Sequence, residues 1–236
     1  MAESSSLAVA ANIFVAPSEA FAAIKERPRV LLPILLLVLF YSAISLVYMT
    51  SVDLPWFMEQ QLTASGAEMT EAQREQALRV AENLPGVALG AIGAVTSSIA
   101  ILLYIFIIAL YYTGVSFVTH DGIKLKQWFA LICWCTLPVL LGLTASLVNI
   151  VFGDARFMLQ DDINPLAFGN LLGIDIESPT VLQRSMLGID LTSLWALVLM
   201  VLGYQAWTQR SLVKTLAVVL GPVVVIVAIT LLFTLT

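Results

Sequence analysis

Gly86–Tyr112 reads GVALGAIGAVTSSIAILLYIFIIALYY, 27 residues without one charged side chain. About 20 largely apolar residues suffice to cross a hydrocarbon layer about 30 Å thick. Four further stretches meet that test: Val30–Met49, Trp128–Phe152, Leu191–Thr208 and Thr215–Leu235. Every Asp, Glu, Lys and Arg of the chain lies outside these five stretches. A charge at mid-bilayer costs about 2.5–3.5 kcal/mol even on the mild insertion scale, so spanning segments exclude charge in this way. Composition agrees: the 236 residues are 60% hydrophobic and 11% charged, against about 25% charged in soluble domains. A soluble chain of this length could not cover so much apolar surface. The net charge of −5 argues against a nucleic-acid partner. The expected fold is all-α, a polytopic membrane protein with five transmembrane helices, an interfacial N-terminal helix and short helices in the outer loops. Residues 1–29 form a cytoplasmic segment, and 30–236 the membrane domain.

Basic residues set the orientation. Lys25, Arg27, Arg29, Lys124, Lys126, Arg210 and Lys214 fall on one side of a five-span chain; Arg74, Arg79, Arg156 and Arg184 fall on the other. The Lys/Arg excess marks the cytoplasmic side, which puts the N-terminus inside and the C-terminus outside. Four acids lie inside and twelve outside, for about +3 and −8. The seven inner cations are candidate contacts for anionic lipid headgroups, helped at 124–126 by Trp128 at the interface. Leu7–Ala16 has no basic residue ahead of it, unlike a secretory signal.

The connecting segments carry helix signals. Pro17 suits a first helical position and Glu19 its positive dipole end, while Pro28 forces a break before the first span. Phe21 and Ile24 share a face, so this helix lies on the inner membrane surface or packs on the bundle. In the first outer loop, Thr70-Glu-Ala-Gln73 is a capping box. It opens a helix that Pro85 ends. The second outer loop carries Asp154, Asp161, Asp162, Asp175 and Glu177. Calcium-loop spacing is absent, so a solvated acidic face is the better reading. Ser178-Pro179 starts a short helix to about Met186, and Leu166–Ile174 is apolar enough to dip into the interface.

Inside the spans, Gly86, Gly90, Gly93 and Ala94 form a small-residue stripe for close helix packing. Ser97 and Ser98 follow it. In the third span Pro138 removes a backbone hydrogen bond and kinks the helix, with Thr144, Ser146 and Asn149 beyond. Interrupted helices mark substrate sites in transporters, so Pro138, Thr144, Ser146, Asn149, Ser97 and Ser98 are the candidate lining of an intramembrane path or lipid groove. No acid, base or His lies within a span, against ion-coupled transport. No hydrolase, zinc-protease or nucleotide-binding motif is present, and no catalytic residue, metal site or cofactor is expected. His120 is the only histidine, and Cys133 and Cys135 point to opposite helix faces.

These segments resemble a family. Pro17-Ser-Glu-Ala-Phe21 with Lys25-Glu-Arg-Pro28, Trp128–Pro138, Leu191-Thr-Ser-Leu-Trp195 leading to Leu202-Gly-Tyr204, and the helix at 70–84 are similar to bacterial Yip1-domain proteins. The chain lacks the eukaryotic Asp-Leu-Tyr-Gly-Pro signature, and Cys133-Trp134 stands where those relatives have Gly-Tyr before the proline. The trafficking role of the eukaryotic relatives is therefore not carried over. The resemblance implies five helices, a cytoplasmic N-terminus, a periplasmic C-terminus and residence in a bacterial inner membrane. The expected function is non-enzymatic organisation of membrane lipid or partner proteins; the alternative is passive passage of a small solute or lipid along the kinked third span. Expected partners are membrane lipids, then a protein partner or a second copy.

Overall fold

The structure, a computed structural model, describes residues 5–65, 69–173 and 189–235, with the backbone alone at Ser65, 226, 227 and 229–235. The elements are α1 (Ser6–Val15), α2 (Pro17–Glu26), α3 (Leu31–Ser51), α4 (Leu54–Ser65), α5 (Glu71–Asn83), α6 (Gly86–Thr119), α7 (Leu125–Cys135), α8 (Val139–Phe152), α9 (Phe168–Leu171), α10 (Leu191–Thr208) and α11 (Leu212–Leu235). Among the described residues there is no sheet, only a single bridge between Ala167 and Asp190.

Three helices, α3, α6 and α10, are individually long and apolar enough to cross a membrane; α7 with α8, bent by 42°, passes the same test as a pair, a fourth candidate if the two form one span. The bend has a local cause. Pro138 has no N–H to give, so the chain turns through Thr136–Pro138 with short-range bonds from Leu137 N–H to Trp134 O (3.2 Å) and Val139 N–H to Thr136 O (3.0 Å). The third span is thus two helices where the sequence suggested one kinked helix. The last helix runs for 24 residues with Pro222 inside it; its described apolar part, Leu212–Val225, is shorter than a span.

α6 is the spine. Its 34 residues would measure about 51 Å at the α-helical rise, well beyond a hydrocarbon layer. It packs antiparallel along α3 through the small-residue stripe. A Cβ on Gly86 would strike the Met49 carbonyl, one on Gly93 would strike Ser45 Oγ, and one on Gly90 would come within 2.9 Å of Leu46 Cα. Ser45 Oγ donates to Gly90 O at 3.0 Å, across the same contact. Ala94 is buried beside them.

At the N-terminal end of the chain, α1 and α2 form a hairpin that packs on α7 and α10. Ala20, Phe21 and Ile24 are buried there, so α2 is docked on the bundle and does not simply lie on the membrane surface. Side-chain donors on the bundle hold its carbonyls: Trp207 Nε1 to Phe21 O (2.9 Å), Gln127 Nε2 to Lys25 O (3.0 Å) and Trp134 Nε1 to Arg29 O (2.7 Å). Beneath the hairpin sits an aromatic knot. Trp128 stacks on Tyr112 (5.2 Å) and Tyr204 (5.3 Å) and lies 5.4 Å from Trp207, while its Nε1 donates to Ser116 Oγ (2.9 Å). Trp128 is fully buried, so its ring packs within the bundle and makes no contact with lipid headgroups.

The opposite end is covered by α4 and α5. The Thr70–Gln73 capping box forms as its spacing requires, and Arg74 pairs with Glu59 to tie the two helices together. α4 was not legible as a helix. The Ser178–Met186 segment lies outside the described residues.

Candidate functional site

All the bundle helices contribute to one cavity of about 380 Å³. Its wall is Leu37 and Tyr41 from α3, Ile101, Tyr104, Ile108 and Tyr112 from α6, and Ile132, Cys135, Thr136 and Val139 around the Pro138 turn. Ser193, Leu194, Ala196, Leu197 and Met200 come from α10, with Ile189 before it, and Val219, Pro222 and Val223 come from α11. The deep lining (Leu37, Ile132, Cys135, Val219) is buried, while Tyr104, Leu194 and Val223 are exposed. The cavity therefore opens sideways, onto the face that meets the surrounding medium between α6, α10 and α11. In a membrane that medium is acyl chain. Pro222 lines this space, as do Thr136 and Val139 on either side of Pro138.

Asp190 lies behind one end of the cavity. It caps α10, its Oδ1 accepting from Ser193 N–H (2.6 Å) and Thr192 Oγ1 (2.8 Å), and its Oδ2 from Asn164 Nδ2 (2.6 Å). Gly142 leaves the room for it: a Cβ there would lie 2.9 Å from both Asp190 Oδ2 and Thr192 Oγ1. The carboxylate is buried and acts electrostatically on Tyr41, midway along α3. The sequence counted Asp190 among the outer acids; the structure buries it immediately before α10.

Burial works against the Asp190 charge, but the bonds from Ser193, Thr192 and Asn164 outweigh it and hold the carboxyl below the ordinary range. A lowered folded-state value stabilises above the ordinary Asp range of about 3.9 and is lost as pH falls through it. Thermal unfolding in detergent should accordingly weaken as pH drops from 5 to 3, and Asp190→Asn should remove part of that acid-dependent loss. A profile unchanged by the substitution would deny Asp190 this role.

The polar residues picked from the sequence do not converge on one surface. Thr144 Oγ1 donates to Leu140 O (2.7 Å), Ser146 Oγ to Gly142 O (3.0 Å) and Ser97 Oγ to Ala94 O (3.3 Å), each within its own helix. Ser98 faces Ser42 at 3.5 Å across the α3–α6 contact. Asn149 donates to Asp162 O (2.9 Å) and Ile163 O (3.2 Å), holding the loop after α8. None of the six lines the cavity, although Thr136 and Val139, beside Pro138, do. Tyr41, Tyr104 and Ser193 were passed over. Mid-span tyrosines are the signal that could have found the first two, because tyrosine otherwise favours the membrane interfaces.

The seven cations behave unequally. Lys124, Lys126 and Lys214 are exposed, as are Arg27 and Arg29. Lys25 instead donates to Trp207 O at 3.0 Å and sits 5.9 Å from the Trp207 ring. Arg210 pairs with Asp121 at 2.9 Å, joining the turn after α6 to the turn after α10. Those turns reverse through His120 and Gln209, both left-handed caps (φ 57° and 55°). Cys133 and Cys135 are free and buried. At the other end of the bundle, burial and the neighbouring Asp161 push the Asp162 carboxyl up. Among the described residues no three His, Cys, Asp or Glu side chains come together as metal ligands.

Comparison with curated proteins gives no match, and comparison with solved structures gives none either. A family model does match. The Yip1 domain covers residues 11–234, from within α1 to the end of α11, and so takes in the docked hairpin, the broken third span and every helix that lines the cavity; the chain belongs to the Yip1-domain family.

Proposed function

We propose that this is a non-enzymatic membrane protein that organises lipid by holding an acyl chain in the central cavity. The observation that carries the reading is the cavity itself: apolar in its depth, open sideways, and walled by all the long helices. An apolar space of this kind in a bilayer gains dispersion contacts when filled by a chain and loses them when empty. In this reading α11 completes a fifth crossing. The Lys/Arg asymmetry supports an N-terminus in the cytoplasm of a bacterial cell and a C-terminus in the periplasm. The exposed cations Lys124, Lys126 and Lys214 then face the anionic headgroups of the inner leaflet.

The test is photocapture. The purified protein would be reconstituted with a phospholipid carrying a diazirine midway along one chain, irradiated, and mapped by mass spectrometry. Adducts on the buried residues Ile132 and Met200 are expected, and Ala196→Phe should reduce them by filling the space. Adducts confined to outward-facing residues such as Ile99 and Val213 would overturn the reading. A second reading, passive passage of lipid or small solute, draws on the Pro138 turn at the cavity wall. It requires lipid flip or solute leak in liposomes that is reduced in Pro138→Ala.

A further inference from the structure

We infer that the cavity selects a neutral lipid whose head is an uncharged hydrogen-bond acceptor, a carbonyl or hydroxyl, bound by the phenols of Tyr41 and Tyr104. This rests on the acyl-chain reading above and specifies which lipid the cavity takes. Both tyrosines line the cavity wall, and Tyr104 is close enough to act electrostatically on Tyr41. Most other hydroxyls in the described spans have a partner, often a carbonyl of their own helix. Among the described residues neither the Tyr41 nor the Tyr104 hydroxyl makes a hydrogen bond. Both are midway along their helices, where water is not at hand to satisfy them and an unmet polar group is costly. Tyr41 is half-buried, while Tyr104 is 51% exposed and stands at the mouth. The two therefore present donors from the entrance inward.

The class of head follows from electrostatics and depth. A phosphate or carboxylate would have to be carried to mid-bilayer, where a bare charge is strongly disfavoured. It would also meet the negative charge of Asp190 behind Tyr41. Asp190 is already engaged within the protein, accepting from Ser193, Thr192 and Asn164. An acylglycerol, long-chain alcohol or quinone has a head that enters the hydrocarbon without charge and accepts from a phenol. Its chain would fill the apolar depth towards Leu37 and Ile132.

The experiment compares three probes with the same diazirine-bearing chain: a monoacylglycerol, the free fatty acid and the phospholipid. Capture at Ile132 and Met200 is read for the full-length protein in liposomes at neutral pH. The monoacylglycerol should be captured about ten-fold more than either charged probe, and the excess should vanish in the Tyr41→Phe, Tyr104→Phe double variant. Residual phospholipid capture in that variant should stay as in the parent, which shows that the cavity is intact. If the double variant does not fold, Tyr104→Phe alone, at the exposed mouth, should reduce the excess at least two-fold. Equal capture of all three probes at these residues overturns this inference and leaves the acyl-chain reading standing. Absence of all three from Ile132 and Met200 overturns both.

Discussion

Replacing Trp128 by alanine should cost about 3–5 kcal/mol of stability, the range for removing a buried tryptophan. The side chain is wholly buried and meets Tyr112, Tyr204 and Trp207 within 5.4 Å. Its indole N–H is the partner of Ser116 Oγ, so truncation also strands a buried hydroxyl, a further reason to expect the upper part of the range. The loss extends beyond the knot, because Trp207 in the same cluster is the donor that holds the α1–α2 hairpin through Phe21 O. Thermal unfolding in detergent would give the stability. Limited proteolysis within α1 and α2 would show whether the hairpin comes loose, and a Trp128→Ala protein as stable as the parent would deny the knot its structural part.

Gly90→Leu should be nearly as damaging by a different route. The nearest obstacle to a Cβ at this position is Leu46 Cα at 2.9 Å, with Ser45 O at 3.2 Å. These are backbone atoms that cannot rotate aside, so α3 and α6 must separate. Overpacking costs about 1–3 kcal/mol or more where the backbone must shift. Separation also breaks the Ser45 bond to Gly90 O, placing the expected loss at about 3 kcal/mol, the top of that range. Gly114 is the matched control, because a Cβ added there would meet nothing within 4 Å; Gly114→Leu should be tolerated. Equal loss at both positions would mean that the α3–α6 contact does not set the cost, since leucine is the better helix former at either position.

Much of the bundle was legible because membrane segments are specified by composition. The absence of charge from 86–112 and its equivalents marks the helices, and the Gly86–Gly93 stripe marks the face that meets α3. The Thr70 capping box is local chemistry, readable over four residues. What escaped depends on contacts distant in the chain. Nothing near Arg210 announces Asp121, 89 residues away. Nothing near Trp128 says that an aromatic beside two lysines turns inward to stack on Tyr204. The candidate path failed to assemble for a related reason: serine and threonine in apolar helices satisfy themselves on the carbonyl one turn back, so their presence says little about a lining. Tyrosine cannot reach its own backbone in that way. It has to find a partner elsewhere, and for Tyr41 and Tyr104 none is supplied among the described residues. Burial of Asp190 was not legible because one of the bonds that hold it comes from Asn164, 26 residues away.

The central claim is that the cavity between α3, α6, α7, α8, α10 and α11 holds a lipid chain, and a density map of the protein in lipid nanodiscs tests it most directly. Elongated non-protein density is expected, entering beside Tyr104 and Leu194 and running past Met200 towards Ile132. A cavity collapsed by inward packing of α10, or one holding only compact, water-sized density, would contradict it.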